Sequence, residues 1–298
     1  MSGPATSLRD VPAALRARRR RGRALAALSG GAALVGIGVL AVLLAQVAVV
    51  GVPWLSADLL FEYPSRIAER AGLRAAIAGT FWLMVTTAAF AVPVGVGAAV
   101  YLEEYARPGP LLRLVTLNIA NLAGVPSVIY GILGLAVFVR VLGFGASFLA
   151  GGITLALLVL PVIVIATQEA LRAIPRGVRE SAYALGATRW QVVRAHLLPL
   201  AAPGALTGVI LALSRAIGET APILVVGAAT FLAFLPATPL DAFSALPVQI
   251  YNWTARPQDE FRGLAAAGIL VLLALLLAMN GAAIWLRDRA ERRGGPRR

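Results

Sequence analysis

The sequence contains no cysteine and no lysine, and only one histidine, His196. Without cysteine there is no disulfide framework, no zinc–thiolate centre and no thiol nucleophile, and the redox compartment stays open. Without lysine there is no glycine-rich loop closing on Gly-Lys-Ser/Thr, which removes the nucleotide-binding signature of a P-loop ATPase. A lone histidine beside an apolar run reads as a packing or interfacial residue rather than a metal ligand or proton carrier. Charge is also scarce: 14% of residues are charged and 59% hydrophobic, whereas soluble domains run near a quarter charged and half apolar. Paired membrane aspartates, HExxH and GxSxG are missing too, so hydrolytic or acyl-transfer chemistry has no visible equipment. The sequence leads us to expect no catalytic residue, no cofactor and no metal ligand.

What the chain has instead is long apolar runs. A membrane helix needs about 20 mostly apolar residues to cross the hydrocarbon core. Uncharged runs of that order occupy residues 24–53, 75–102, 114–139, 141–168, 197–214 and 263–286, the fifth continuing past Arg215 and Glu219. Runs three and four are separated only by Arg140, and Gly143-Phe144-Gly145 just after it supplies a tight turn. The first run is too long for a signal-peptide core and lacks a small-residue cleavage site, so it reads as an uncleaved anchor. The fifth is long enough for two crossings, and the flanking charge decides between the readings. Seven arginines precede Ala24 and six follow from Arg287 onward. Arginine-rich flanks stay on the cytoplasmic side, so both ends are expected inside and the number of crossings is even. Six crossings follow, with one long tilted fifth helix and an external or re-entrant segment reaching about Glu260.

All 27 basic residues are arginine, and the net charge is +13. Under the six-span topology the whole of that excess falls on the cytoplasmic face. Arg66, Arg70, Arg74, Arg140, Arg256 and Arg262 lie outside, and Arg215 lies within the bilayer. Positive-inside bias accounts for the charge, and a nucleic-acid partner is not expected. Trp54, Trp285, Tyr101 and Tyr105 fall near span ends, as interfacial aromatics do.

The cytoplasmic stretch between spans four and five is the most specific part of the sequence. Pro175 opens a helix, Glu180 sits near its positive end, and Gly186 follows about two turns later, where the chain turns back. A short helix, a glycine turn and a second helix entering the membrane make a rigid knob. The landmarks Glu180, Ala182, Gly186, Leu198 and Pro199 keep the register of the EAA loop, which this segment resembles; the loop belongs to the permeases of ATP-binding-cassette (ABC) importers. Ser181 stands where that loop has alanine, and His196 where it has isoleucine. An ordinary amphipathic loop is the plainer reading. The resemblance implies that Glu180, Ser181, Ala182, Gly186, Leu198 and Pro199 couple the chain to an ATPase.

The resemblance covers nearly the whole chain from the second run. Gly79-Thr80 through Tyr101-Leu102-Glu103-Glu104-Tyr105 is similar to the opening of the importer permease core. Gly124-Val125-Pro126-Ser127-Val128-Ile129-Tyr130-Gly131 and Arg215-Ala216-Ile217-Gly218-Glu219-Thr220-Ala221-Pro222 are similar to phosphate importer permeases. Leu246 to Trp253, with Arg256-Pro257-Gln258, resembles the PstA type rather than its partner PstC. The implied fold is all-α: a polytopic bundle of about six transmembrane helices, the type I ABC importer (MetI-like) permease. Its parts would be a basic cytoplasmic tail (1–23), a first transmembrane helix (24–53), a permease core (75–286) with the coupling segment (175–199), and a basic tail (287–298).

Arg215 and Glu219 stand four apart, able to pair on one helix face, and a charge near the bilayer centre costs about 3 kcal/mol even on the lenient scale. One reading is a mutually neutralising pair that tolerates burial. The other is a pathway in which the arginine fork attracts an oxyanion and Glu219 holds it or moves with the gate. Thr220, Ser127 and Tyr130 are further pathway candidates, although buried hydroxyls in membrane helices more often bond a neighbouring helix. Gln249 and Asn252 are expected in the external loop, contacting a binding protein or capping structure. Prolines 93, 126, 161, 203 and 222 fall inside spans and read mostly as kinks. The resemblance implies a permease for inorganic phosphate in a bacterial or archaeal cytoplasmic membrane. Its implied partners are a second, PstC-like permease, two copies of a PstB-like ATPase, a PstS-like binding protein and membrane lipid. Phosphonate, sulfate or molybdate permeases and a secondary transporter remain the alternatives.

Overall fold

The computed structural model describes residues 13–294. Part of each basic tail, with some of its arginines, lies outside those residues. Among the described residues the fold is helical, with one isolated bridge, Ser147 to Ala242, and no strand. The described residues fall into two compact units that divide between Val50 and Gly51. The first is helix α1 (Ala13–Gly51) up to its penultimate residue, apolar on every side beyond its arginine-rich start, the pattern of a segment that faces lipid or another membrane helix.

The second unit holds the remaining elements. A short helix α2 (Ala57–Phe61) precedes α3 (Arg74–Val100), which opens into a π-helical turn over Tyr101–Tyr105. Then follow α4 (Pro110–Leu122), α5 (Ser127–Gly134) with a π-helical extension to Val141, and α6 (Phe148–Arg172). A surface helix α7 (Arg176–Ala184) and a single turn α8 (Arg189–Val192) lead through another π-helical stretch into α9 (Leu198–Ala216). The chain ends with α10 (Ala221–Val226), α11 (Leu246–Thr254) and α12 (Asp259–Gly294).

Five helical segments are long and apolar enough to cross a membrane, or six if one bent pair counts as a single span. That pair corrects the third predicted crossing. Run 114–139 is not one straight helix but α4 and α5, inclined at 101°. Pro126 has no N–H to give and forces Val125 out of the helical region. The helix therefore ends at Leu122 and restarts at Ser127. The fourth crossing begins later than the apolar run, at Phe148. Gly143 and Gly145 adopt φ of 69° and 66° and turn the chain before it. The fifth crossing is corrected as well. It does not run on through Glu219 but stops at Ala216, and α10 is a separate helix. Of the five intramembrane prolines, only Pro93, Pro161 and Pro203 lie inside helices; Pro126 and Pro222 start them.

Small residues bring the spanning helices close, the usual device where lipid supplies no hydrophobic drive. A Cβ on Gly95 would meet Ile163 at 2.7 Å, and one on Gly204 would meet Ala170 at 2.9 Å; Gly208 faces Ala166 in the same way. Thr87 Oγ1 donates to the Gly152 carbonyl at 3.1 Å, tying α3 to α6. Leu83, Phe148, Leu155, Ile163, Ile217 and Phe243 fill the core between α3, α6 and α9. A second cluster, around Leu73, Leu246, Trp253 and Phe261, closes one end, and Leu171, Ala182, Val193 and Leu197 close the other.

The segment between α10 and α11 is latched to this frame. Thr80 Oγ1 accepts from Leu246 N at 2.9 Å while donating to the Ala76 carbonyl, and Gly79 leaves no room for a side chain against the Ser244 carbonyl. Phe148 N and Leu149 N donate to the carbonyls of Asp241 and Pro239, capping α6. Asp241 organises that turn. Its carboxylate accepts from Ala237 N (2.7 Å), Thr238 N (2.8 Å) and the Thr238 hydroxyl (2.7 Å). The Thr238 hydroxyl, and then the two backbone donors, hold its pKa below the usual carboxylate range. A depressed folded pKa stabilises above the unfolded value, about 3.9, and that support is lost as pH falls through the folded value. Limited proteolysis of the 236–241 turn should therefore be flat from about pH 7 to pH 5 and accelerate only below about pH 4. Acceleration already near pH 6 would contradict this.

Candidate functional site

Two places in the fold carry unusual chemistry. The first is where two broken helices meet. At the end of α9, Gly218 N and Glu219 N donate to the carbonyls of Arg215 and Ala216, at 3.2 Å each, and close a tight turn. Pro222, without a backbone donor, then opens α10. Arg215 Nε lies 3.2 Å from Glu219 Oε1; the glutamate side chain is 16% exposed and the arginine 48%. The pair predicted from four-residue spacing is thus made across a helix end rather than along a continuous face.

Helix α10 packs on α5, so close that a Cβ on Gly131 would meet Pro222 Cα at 2.7 Å. The break at Pro126 and the break at Gly218 are thereby brought side by side. Tyr130 is buried, and its hydroxyl donates to the Leu122 carbonyl at 2.8 Å, bracing the bend between α4 and α5. Ser127 stands one turn before Gly131 on α5 and is partly buried; Thr220 caps α10, its carbonyl accepting from Leu224 N at 3.0 Å. Arg215, Glu219, Thr220, Tyr130 and Ser127 thus gather around one double break.

Gln249 departs from expectation. It is fully buried, not on an external loop. With its amide oriented to satisfy both groups, its nitrogen donates to the Thr230 carbonyl (3.1 Å) and its oxygen accepts from Trp253 Nε1 (2.9 Å). Contact with a binding protein is excluded for that side chain in this state. Asn252 is partly buried, its Oδ1 enclosed without a hydrogen-bond partner.

The second place is the knob formed by α7 and α8. Helix α7 ends in a Schellman turn: Gly186 takes φ +82°, its N–H donates to Tyr183, and Ala187 N donates to Ala182. Thr188 and Gln191 then form a capping box that starts α8. Ala182 is buried among Leu171, Val193 and Leu197, and Leu198 packs against the same cluster. Glu180 and Ser181 are exposed, and Pro199 is exposed at the first turn of α9. His196 is exposed too, so it does not fill the inward isoleucine position.

The sequence reading missed three features here. Leu185, just after α7, is 90% exposed, and Trp190 on α8 is 55% exposed. Arg179 and Glu104 form an ion pair at 2.7 Å beneath the knob. Glu103 and Arg172 form another at 2.9 Å. Glu103, Glu104, Arg172, Arg176, Arg179, Glu180 and Tyr183 share a polar cleft of about 580 Å³. The acidic doublet in Tyr101–Tyr105 was visible in the sequence, but nothing local joined it to an arginine 75 residues away.

Comparison with known proteins fits this geometry. Residues 91–292 match the model of the family described as "Binding-protein-dependent transport system inner membrane component". The chain belongs to that family. It is 34% identical over 244 residues to the phosphate transport system permease protein PstA 1 of Mycobacterium tuberculosis (strain ATCC 25618 / H37Rv), covering 80% of this chain and 77% of that one. It is 32% identical over 248 residues to the probable ABC transporter permease protein YqgI of Bacillus subtilis (strain 168), covering 79% and 84%. Among solved structures, a bacterial ABC transporter that imports alginate superposes with TM-score 0.65 at 16% identity, over 93% of this chain and 99% of that one. The MetNI methionine ABC transporter in an inward-facing form gives 0.60 at 22%, over 72% and 96%. These structures establish the fold, a MetI-like importer permease bundle. The chain is a multi-pass membrane permease of an ABC importer, a class that works with ATPase and substrate-binding partners.

Proposed function

We propose that this permease imports inorganic phosphate, as one of two unlike membrane subunits driven by a pair of ATPase subunits and supplied by an extracytoplasmic phosphate-binding protein. The similarity to PstA proteins over most of the chain is the observation that carries the substrate. The chemistry of the double break agrees with it. Arginine's planar fork matches the oxygens of a tetrahedral oxyanion. Arg215 keeps nearly half its side chain exposed while Glu219 holds one edge of it, which leaves donors free for an anion. Broken helices at membrane depth are tolerated where they are buried in protein or line a cavity. In this reading Thr220, Ser127 and Tyr130 flank the path, with Tyr130 acting chiefly as the brace of the bend.

ATP is bound and hydrolysed by the partner subunits. The knob is the docking element: Glu180, Ser181 and the apolar tip at Leu185 face outward, and Ala182, Gly186, Leu198 and Pro199 fix the shape that presents them. Closure of the ATPases moves the two permeases between inward- and outward-facing states, which both pre-exist and differ in affinity for substrate and nucleotide. Arginine-rich flanks put both termini, and the knob, in the cytoplasm.

Substrate is tested with the purified four-component complex in proteoliposomes. Labelled phosphate should accumulate at low concentration in an ATP-dependent way, with a several-fold excess of sulfate, molybdate or methylphosphonate failing to compete. Efficient competition by one of these anions, with phosphate left behind, would reassign the substrate.

A further inference from the structure

We infer that Arg179 and Glu104 form the clasp that carries displacement of α7 into the membrane-spanning helices. This deepens the reading of α7 as the coupling element and rests on it. Arg179 lies immediately before Glu180 in the chain and lines the same cleft, but it sits deeper. Its side chain is 19% exposed, and that of Glu104 only 7%. The guanidinium uses every nitrogen: Nε and Nη2 donate to Glu104 Oε1 at 3.1 and 2.7 Å, Nη2 also to the Leu171 carbonyl at 2.9 Å, and Nη1 to the Ile174 carbonyl at 3.1 Å.

Those partners belong to two different spanning segments. Leu171 is in the last turn of α6, its carbonyl also accepting from Ile174 N at 3.3 Å, and Ile174 lies just beyond, where the helix dipole is negative. Glu104 belongs to the π-helical turn that ends α3, a wide turn of the sort that accumulates at functional positions. One side chain therefore pins α7 to both α3 and α6, which already grip each other through Thr87 and Gly152. Around the clasp, Glu103 holds Arg172, and Arg172 holds Glu169 at 3.0 Å. The exposed Glu180 meets the ATPase; the largely buried Arg179 beside it passes the push on. Lysine would not substitute, because a single ammonium cannot reach a carboxylate and two carbonyls in a fixed fork.

The inference makes Arg179 a positioning residue, so its readout is the ratio of phosphate transported to ATP hydrolysed. In the reconstituted complex, Arg179→Gln and Glu104→Gln should each lower that ratio about tenfold with the ATPase still bound, and the double variant should be no worse than either single, as for partners in one interaction. An unchanged ratio, or single effects that multiply, would overturn the clasp. If instead ATPase and permease failed to associate even in the native complex through α7, the reading of α7 itself would fall, and the two failures are distinguishable. A second measurement does not depend on the variants folding. Spin labels at Tyr101→Cys and Gly177→Cys, in a chain otherwise free of cysteine, should keep one separation in nucleotide-free and ATP-trapped complexes. A separation that changes with nucleotide would sink the inference.

Discussion

Replacing Arg215 by glutamine is expected to abolish phosphate uptake while the complex still assembles and hydrolyses ATP. The substitution keeps the length and polarity of the side chain but removes the charge and the fork. A guanidinium offers an oxyanion two parallel charge-assisted hydrogen bonds, each contributing about 1.5–3 kcal/mol. Their loss lowers transport on the order of a hundredfold or more. Arg215→Lys should keep a fraction of activity, because the charge remains and the bidentate geometry does not. The decisive control is Arg215→Gln combined with Glu219→Gln. If the two residues do no more than neutralise one another across the end of α9, removing both charges restores uptake. If Arg215 serves the anion, the double variant stays inactive. Uptake of labelled phosphate by right-side-out vesicles reads the difference, with recovery in the double variant counting against a role in the pathway.

Exchanging Glu180 for tryptophan should have an effect as large through a different failure. Glu180 is exposed on α7, so the substitution leaves the buried face of the knob, Ala182 with Leu171 and Val193, untouched. The permease should insert and fold normally, with its ATPase subunits lost from the purified complex and uptake reduced to background. Arg215→Gln and Glu180→Trp thus part on one observable: the first retains bound ATPase, the second does not. Folded, fully ATPase-loaded and transporting Glu180→Trp complex would reject the docking role. Replacing Leu185 at the tip by aspartate should weaken association in the same direction, since a 90% exposed leucine on a polar surface knob has little reason to be apolar unless a partner covers it.

Much of this was legible before any coordinates. Hydropathy located the apolar runs. Pro175, Gly186 and their spacing outlined α7 and its turn. The errors have common physical causes. Hydropathy measures how lipid-like a stretch is and is blind to where its backbone breaks. Val125-Pro126 interrupts one span and Gly218 to Pro222 another, although both stretches read as continuous apolar sequence. The prolines that mark the breaks are visible in the sequence, but they read there as kinks within continuous helices rather than as places where a helix ends. Gln249 looked like a surface residue because amides usually are, and only Trp253 and Thr230 explain its burial. Arg179 and Glu104 stayed hidden for a simpler reason: they are far apart in the chain, and no periodicity links them. The pair Arg215 and Glu219 was found from spacing alone, yet the helix that justified the spacing ends between them.

The central claim is that this bundle takes its energy from outside through the knob at α7. A photo-cross-linker placed at residue 180 in the otherwise native, transporting complex tests it most directly. The claim requires that the ATPase subunit be captured there, with capture altered when ATP is trapped, and that the same probe at Tyr251, toward the opposite end of the bundle, capture no ATPase. An actively importing complex in which residue 180 never reaches the ATPase would contradict it.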